Sequence, residues 1–189
     1  MVRGQQVAVL GYCLMSNHVH VVAIPRRPEA LAEAFHRVHG RYASYWNVAH
    51  SGSGHVGQGR FYSCPMEAGH LWAALRYTEL NPVRAGLVAE AAAWPWSTAA
   101  AHCGTGAPDE CLDLARWRKQ WSESTWRTFL QQGETESELL AIRRATQSGR
   151  PLGSADFIRE LESSTQRRLL PQKGGRPRKN ATNATDRNS

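Results

Sequence analysis

"VAVLGYCLMSNHVHVVAI", residues 7–24, is the stretch whose reading decides the fold class. Val7 to Met15 and His18 to Ile24 are β-branched and apolar, the composition of strands. Ser16-Asn17 separates them, and Asn tolerates positive φ, so the pair reads as a hairpin with a tight turn. Strand alternation puts His18, His20, Val22 and Ile24 on one face and Val19, Val21 and Ala23 on the other. Two imidazoles one pleat apart, with Cα atoms roughly 7 Å from each other, can converge on one divalent ion. They can equally be half-buried histidines with hydrogen-bond partners. The spacing alone leaves both readings open.

Downstream of the hairpin, "PRRP" breaks the second strand. Glu29 to Trp46 then carries apolar residues at Leu31, Ala34, Phe35, Val38, Tyr42 and Tyr45, which is helical spacing weakened in the middle by Gly40. "SGSGHVGQG" (51–59) is a glycine-rich loop, and "RFYSCPM" (60–66) reads as a short strand. Ala68 to Leu80 is a second helix, ended at Asn81-Pro82 because proline removes a donor and restricts the residue before it. "AWPWSTAAAHCG" (93–104) reads as a turn and short helix that cap the domain with Trp94 and Trp96. After a linker at "TGAPDE" the chain is expected to be all-helical from Leu112, with Trp117, Trp121 and Trp126 as core residues. Helices around Thr135–Thr146 and Ala155–Arg168 flank "SGRPLGS", with Ser154 as N-cap. This helical pair resembles a helix-turn-helix, a shape that most helical hairpins share without binding DNA. The three units expected are therefore 1–104, 112–170 and a disordered basic tail, 171–189.

Among 189 residues the formal charge of +7 is unevenly placed. Arg167 to Ser189 holds seven Lys and Arg against the single acid Asp186, so nearly all the excess belongs to the tail. Such a tail suits a polyanionic partner. Within it, "GGRPRK" (174–179) has the Gly-Arg-Pro core of an AT-hook, so that Arg176, Arg178 and Lys179 are candidate DNA contacts in a narrow minor groove or along phosphates. Cys13, Cys64, Cys103 and Cys111 show neither CxxC spacing nor a disulfide framework, which points to a reducing cytoplasm. No membrane span and no signal peptide is expected.

Chemistry beyond the histidines is carried by "RYTELNP". Tyr77 and Asn81 are four apart and share a helix face, and Asn81 stands where its amide oxygen can reach a metal. Tyr77 offers a phenolic oxygen, a weak nucleophile that a divalent ion could assist by polarising a phosphate. Taken alone, Tyr77 is as readily a packing residue. Arg60, Phe61 and Tyr62 mix a cation with aromatics, the chemistry that grips phosphates and stacks bases in single strands. Gln58 could reach a base edge or the backbone, and Arg84 is a candidate phosphate contact.

Four separated stretches, "GYCLMSNHVHVVAIP", "GQGRFYSCPM", "LRYTELNPVRAGLV" and "WPWSTAAAH", together resemble, in order and spacing, the single-tyrosine transposases of small bacterial insertion sequences. The nearer resemblance is to their domesticated relatives, the REP-associated tyrosine transposases, over roughly residues 7 to 103. What the resemblance implies is an α+β chain with a ferredoxin-like antiparallel sheet, cutting and rejoining single-stranded DNA hairpins without a nucleotide cofactor. His18, His20 and Asn81 would bind Mg²⁺ or Mn²⁺, and Tyr77 would form a 5′-phosphotyrosine with release of a 3′-OH. It also implies work in the bacterial cytoplasm at the nucleoid, as a monomer or a homodimer.

The chain departs from that pattern at its start. The family's domain opens with a further strand and helix, whereas only Met1 to Gln6 precede the hairpin. An upstream start, a decayed gene, or a strand supplied by another chain would each account for this. A catalytically inactive DNA-binding remnant is therefore the second functional expectation. A relaxase or replication-initiator nuclease is the third, disfavoured by the "NPVRAG" stretch.

Overall fold

A computed structural model describes residues 6–57, 59, 61–107 and 109–170. The hairpin forms as the alternation predicts. Strand β1 (Val7–Leu14) pairs antiparallel with β2 (Val19–Pro25), from Val7 opposite Pro25 to Leu14 opposite Val19. Met15 N–H donates to the His18 carbonyl at 2.9 Å, closing the turn over Ser16-Asn17. Neither turn residue takes a positive φ, so asparagine's left-handed tolerance is not what shapes it. The register slips between Val9 and Gly11. This bulge lets the neighbouring residues Val9 and Leu10 both be buried, which strict alternation would forbid.

Eight α-helices accompany the two strands among the described residues: α1 (Ala30–Ala49), α2 (Leu71–Glu79), α3 (Asn81–Arg84), α4 (Ala99–His102), α5 (Leu114–Trp117), α6 (Glu123–Gln131), α7 (Glu136–Ser148) and α8 (Ala155–Thr165). The chain is thus mixed α and β, with a helical C-terminal region. None of the described helices is long and apolar enough to cross a membrane.

Two local expectations need correction. Residues 61–66 form no strand; their only ladder contact is a parallel bridge from Met66 to Leu152. The backbone there bonds to the α7–α8 turn instead, through Leu152 N–H to the Pro65 carbonyl (2.8 Å) and Glu67 N–H to the Leu152 carbonyl (2.9 Å). With β2 standing across a cleft from this stretch, its donors and acceptors found their partners in a turn. Secondly, Asn81-Pro82 does not stop the helical path. Leu80 keeps right-handed helical angles and α3 begins at Asn81, with Pro82 in its first turn, where the missing N–H costs nothing.

Helix α2 lies across the hairpin and is buried on several sides. Five of its nine residues are buried, and three of these are polar: Arg76, Thr78 and Glu79. Glu79 is wholly inaccessible. Its Oε1 accepts from Thr98 Oγ1 (2.6 Å) and lies 2.6 Å from His102 Nδ1, and its Oε2 accepts from the Trp126 indole N–H (2.9 Å). Thr98 Oγ1 also accepts from the Tyr12 N–H at 3.1 Å, tying β1 to the same knot. Gly11 is required where α2 crosses β1, because a Cβ there would sit on Leu75 Cδ1 and 2.8 Å from Thr98 Oγ1.

Around this knot one apolar core joins Leu10, Val22, Leu75 and Ala99 to Trp117, Trp126 and Leu130. Trp117 stacks on His102 with ring centres 5.0 Å apart, as the tryptophan spacing led one to expect of a core residue. Arg76 makes two 2.9 Å bonds to Glu138 of α7 and lies 3.9 Å over the Phe129 ring. Ser122, Thr135 and Ser154 cap α6, α7 and α8 with side-chain oxygens, the last as expected. All four cysteines are free, and burial pushes the Cys13 and Cys103 thiols up to about 11.

Trp126→Phe keeps most of the ring packing but leaves Glu79 Oε2 without its donor. We expect a loss of about 1.5–3 kcal/mol in chemical denaturation. A Thr98→Val variant, which removes a different donor from the same carboxyl group, should lose a similar amount. If both unfold within about 0.5 kcal/mol of the wild type, the knot does not hold the fold.

Candidate active site

The face of the hairpin that carries His18, just before β2, and His20 meets the face of α2 that carries Tyr77. The ring centres of His18 and His20 are 5.0 Å apart, and those of His20 and Tyr77 are 5.8 Å apart, each pair edge to face. Asn81, one turn beyond Tyr77, brings its Nδ2 to 3.2 Å from His18 Nε2. Four residues, two from the hairpin and two from consecutive helices some 60 positions downstream, are therefore linked in one chain of contacts, Asn81 to His18 to His20 to Tyr77. His18, His20 and Tyr77 border a cleft of about 450 Å³ whose other walls include Phe35, His39, Phe61 and Ile142.

The histidines differ in setting. His18 is exposed, and its Nδ1 is 2.6 Å from Asn17 Oδ1. An acceptor at Nδ1 places the proton there, and the Nε2 lone pair then accepts from the Asn81 amide at 3.2 Å, a bond that a metal ion at Nε2 would replace. His20 is half-buried. Burial, then the neighbouring His18 and the Arg84 cation, hold its pKa down to about 4. At neutral pH it thus presents an uncharged imidazole, the form that ligates a metal. Two imidazoles and one amide suit a divalent ion with further positions left to water or phosphate oxygens. Among the described residues, no three His, Cys, Asp or Glu side chains gather as a ligand group.

Arg84 sits behind Tyr77 and away from the open cleft. Its guanidinium lies 4.0 Å over the Tyr77 ring, donates to the Tyr77 carbonyl at 2.6 Å and reaches Asn81 Oδ1 at 3.4 Å. It also pairs with Glu134 at 2.6 Å, with side-chain exposures of only 18% and 5%. The second Glu134 oxygen is buried without a partner, and burial pushes this carboxyl above its ordinary range against the pull of Arg84. Arg84 therefore clamps both the tyrosine and the asparagine. Its pairing with Glu134, from the chain between α6 and α7, carried no sequence signal.

Of the other candidates, Phe61 lies in the cleft wall, stacked on Phe35 at 4.5 Å. Tyr62 is exposed. Gln58, Arg60, Arg176, Arg178 and Lys179 lie outside the described residues. Phe35 and His39 as cleft residues were not legible in the sequence: the helical spacing of Phe35 is that of a core position, and His39 has no spacing that singles it out. Nor does spacing single out His102, which the fold uses in the core. No protein-family model matches the chain, and no curated protein or solved structure does either.

The low His20 pKa gives a pH signature with a definite sign. Between about pH 6.5 and 4 the unfolded chain binds a proton at this residue and the folded chain does not, so this contribution to stability falls as pH falls through that window. In the metal-free protein the His20 ring should titrate near pH 4 in an NMR experiment. A midpoint in the ordinary range would mean that the ring is not desolvated as described.

Proposed function

We propose that the protein is a metal-dependent, single-tyrosine DNA strand-transferase of the REP-associated type, built on a ferredoxin-like scaffold and acting on single-stranded hairpins. The observation that carries this reading is that His18, His20 and Tyr77 meet at one cleft, with Asn81 against His18. Nothing in helix or strand propensity requires a hairpin imidazole pair to meet a tyrosine and an amide one helical turn apart.

In this reading Tyr77 Oη attacks the phosphorus of a phosphodiester. A tyrosine–phosphate bond forms, the P–O3′ bond breaks, and the leaving 3′ oxygen takes up a proton to balance the one lost by the phenol. The phosphodiester's energy is kept in the covalent linkage, so that the 3′-OH can reverse or redirect the reaction without ATP. His18, His20 and Asn81 would hold Mg²⁺ or Mn²⁺, which would supply Lewis-acid polarisation of the phosphate. Arg84 serves by position: it fixes the ring and backbone of Tyr77 from behind. The basic tail adds salt-dependent hold on DNA.

The test is an SDS gel of the protein incubated with a labelled single-stranded hairpin and Mn²⁺. The expected result is an SDS-resistant adduct that is absent in Tyr77→Phe and reduced at least about 100-fold in His18→Ala/His20→Ala. A salt-sensitive mobility shift with no adduct at any metal concentration would instead indicate an inactive DNA-binding protein.

A further inference from the structure

The Asn81 amide has two chemically different ends, and its neighbours fix which way each points. Its Nδ2 is 3.2 Å from His18 Nε2, and its Oδ1 is 3.4 Å from an Arg84 guanidinium nitrogen. Both contacts demand this orientation. With its proton on Nδ1 toward Asn17, His18 offers only an acceptor at Nε2. A guanidinium offers only donors. The amide turned over would set its oxygen against a lone pair and its NH₂ against N–H groups.

A divalent ion reverses the first of these demands. It takes the Nε2 lone pair and, as a hard cation, prefers the amide oxygen to the amide nitrogen. For Asn81 to share an ion with His18, its oxygen has to leave Arg84 and turn toward the histidine. Its NH₂ then faces the guanidinium, donor against donor. Arg84 thus opposes ligation by Asn81.

Charge acts in the same direction. The Arg84 guanidinium lies 4.0 Å over the Tyr77 ring, whose edge-to-face neighbour is His20. Its side chain is mostly buried, so solvent and salt screen it little. A cation in that position repels a divalent ion held by the histidines. A 2.6 Å bond to the Tyr77 carbonyl anchors it there. What offsets its charge is Glu134, paired with it at 2.6 Å. Arg84 and Glu134 line a second cavity, of about 530 Å³, and not the cleft of the histidines. Glu134 therefore acts on the candidate metal site through Arg84.

We propose that the Arg84–Glu134 pair sets the divalent-metal affinity of the candidate site. Arg84 lowers it, by holding the Asn81 oxygen and by its charge, and Glu134 raises it by masking that charge. Glu134 is thereby a positioning residue, supplied by the connection between α6 and α7. This rests on the proposed metal site at His18, His20 and Asn81, and adds to it a direction for each partner of the pair.

Mn²⁺ binding to the full chain at neutral pH, read from the electron paramagnetic resonance of the free ion, tests it. Glu134→Gln, which keeps the side-chain shape, should weaken binding about threefold to tenfold. Arg84→Gln alone leaves a carboxylate buried without its counter-ion and destabilises the fold. The deciding variant is therefore Arg84→Gln/Glu134→Gln, in which no charge is left unpaired. It should bind Mn²⁺ at least about threefold more tightly than the wild type, because the cation is gone and the Asn81 oxygen is released. A pair that merely braces Tyr77 and Asn81 predicts the reverse, since its removal loosens a ligand. Circular dichroism checks that each variant is folded, and His18→Ala/His20→Ala identifies the site being read. A folded double variant that binds no more tightly than the wild type overturns the inference. So does a folded Glu134→Gln variant that binds no more weakly. In both cases the histidine-dependent site survives. Mn²⁺ binding that is absent from the wild type, or unchanged in His18→Ala/His20→Ala, removes the metal site itself and the inference with it.

Discussion

A carboxyl group with no access to water, Glu79, is the constraint around which the rest of the molecule is arranged. A buried acceptor must be met by donors, or its desolvation is left uncompensated. Here the donors come from three separate places: Thr98 just before α4, His102 at the end of α4, and Trp126 in the middle of α6. Satisfying one side chain of α2 thus fixes where two other helices stand. Thr98 passes the restraint on to β1 through Tyr12. Gly11 allows the close approach that brings strand and helix into range.

Helical periodicity converts that burial into placement of the site. Arg76 and Glu79 look toward the C-terminal helices, and Tyr77 and Asn81, on another face, look toward the hairpin histidines. Rotation of α2 about its axis would be needed to move Tyr77, and it would break the bonds of Glu79 and the bidentate pair of Arg76 with Glu138. Arg84, locked by Glu134, adds a second restraint at the far end of the same turn. The helical region after residue 112 therefore acts as a brace for the helix bearing the candidate nucleophile, whatever else it binds. Helix α1 stands outside this system: beyond Ala34 none of its residues is buried.

Much of this was legible in the sequence because it is local. The hairpin follows from alternation around Ser16-Asn17, α7 and α8 from periodicity and capping residues, and the shared face of Tyr77 and Asn81 from a spacing of four. The fate of residues 61–66 was not legible. Strand propensity there is real, but a strand needs a neighbour, and the nearest free backbone groups belonged to the turn at 150–152. Likewise the Leu31-to-Tyr45 spacing on α1 says that a face is apolar, and cannot say whether anything covers it.

What the sequence determined by itself was the inventory and its local geometry: two imidazoles on one strand face, a phenol and an amide on one helix face, and a surplus of positive charge. Only the tertiary structure decided that these meet, that Arg84 turns inward to Tyr77 and Glu134, and that His20 is held uncharged by burial. The reason is physical. Spacing along a chain sets directions within one element, whereas contacts between elements depend on which buried polar groups find partners and how closely backbones can approach. Those are settled by residues such as Glu79, Trp126 and Gly11, whose roles exist only once the chain has closed around them.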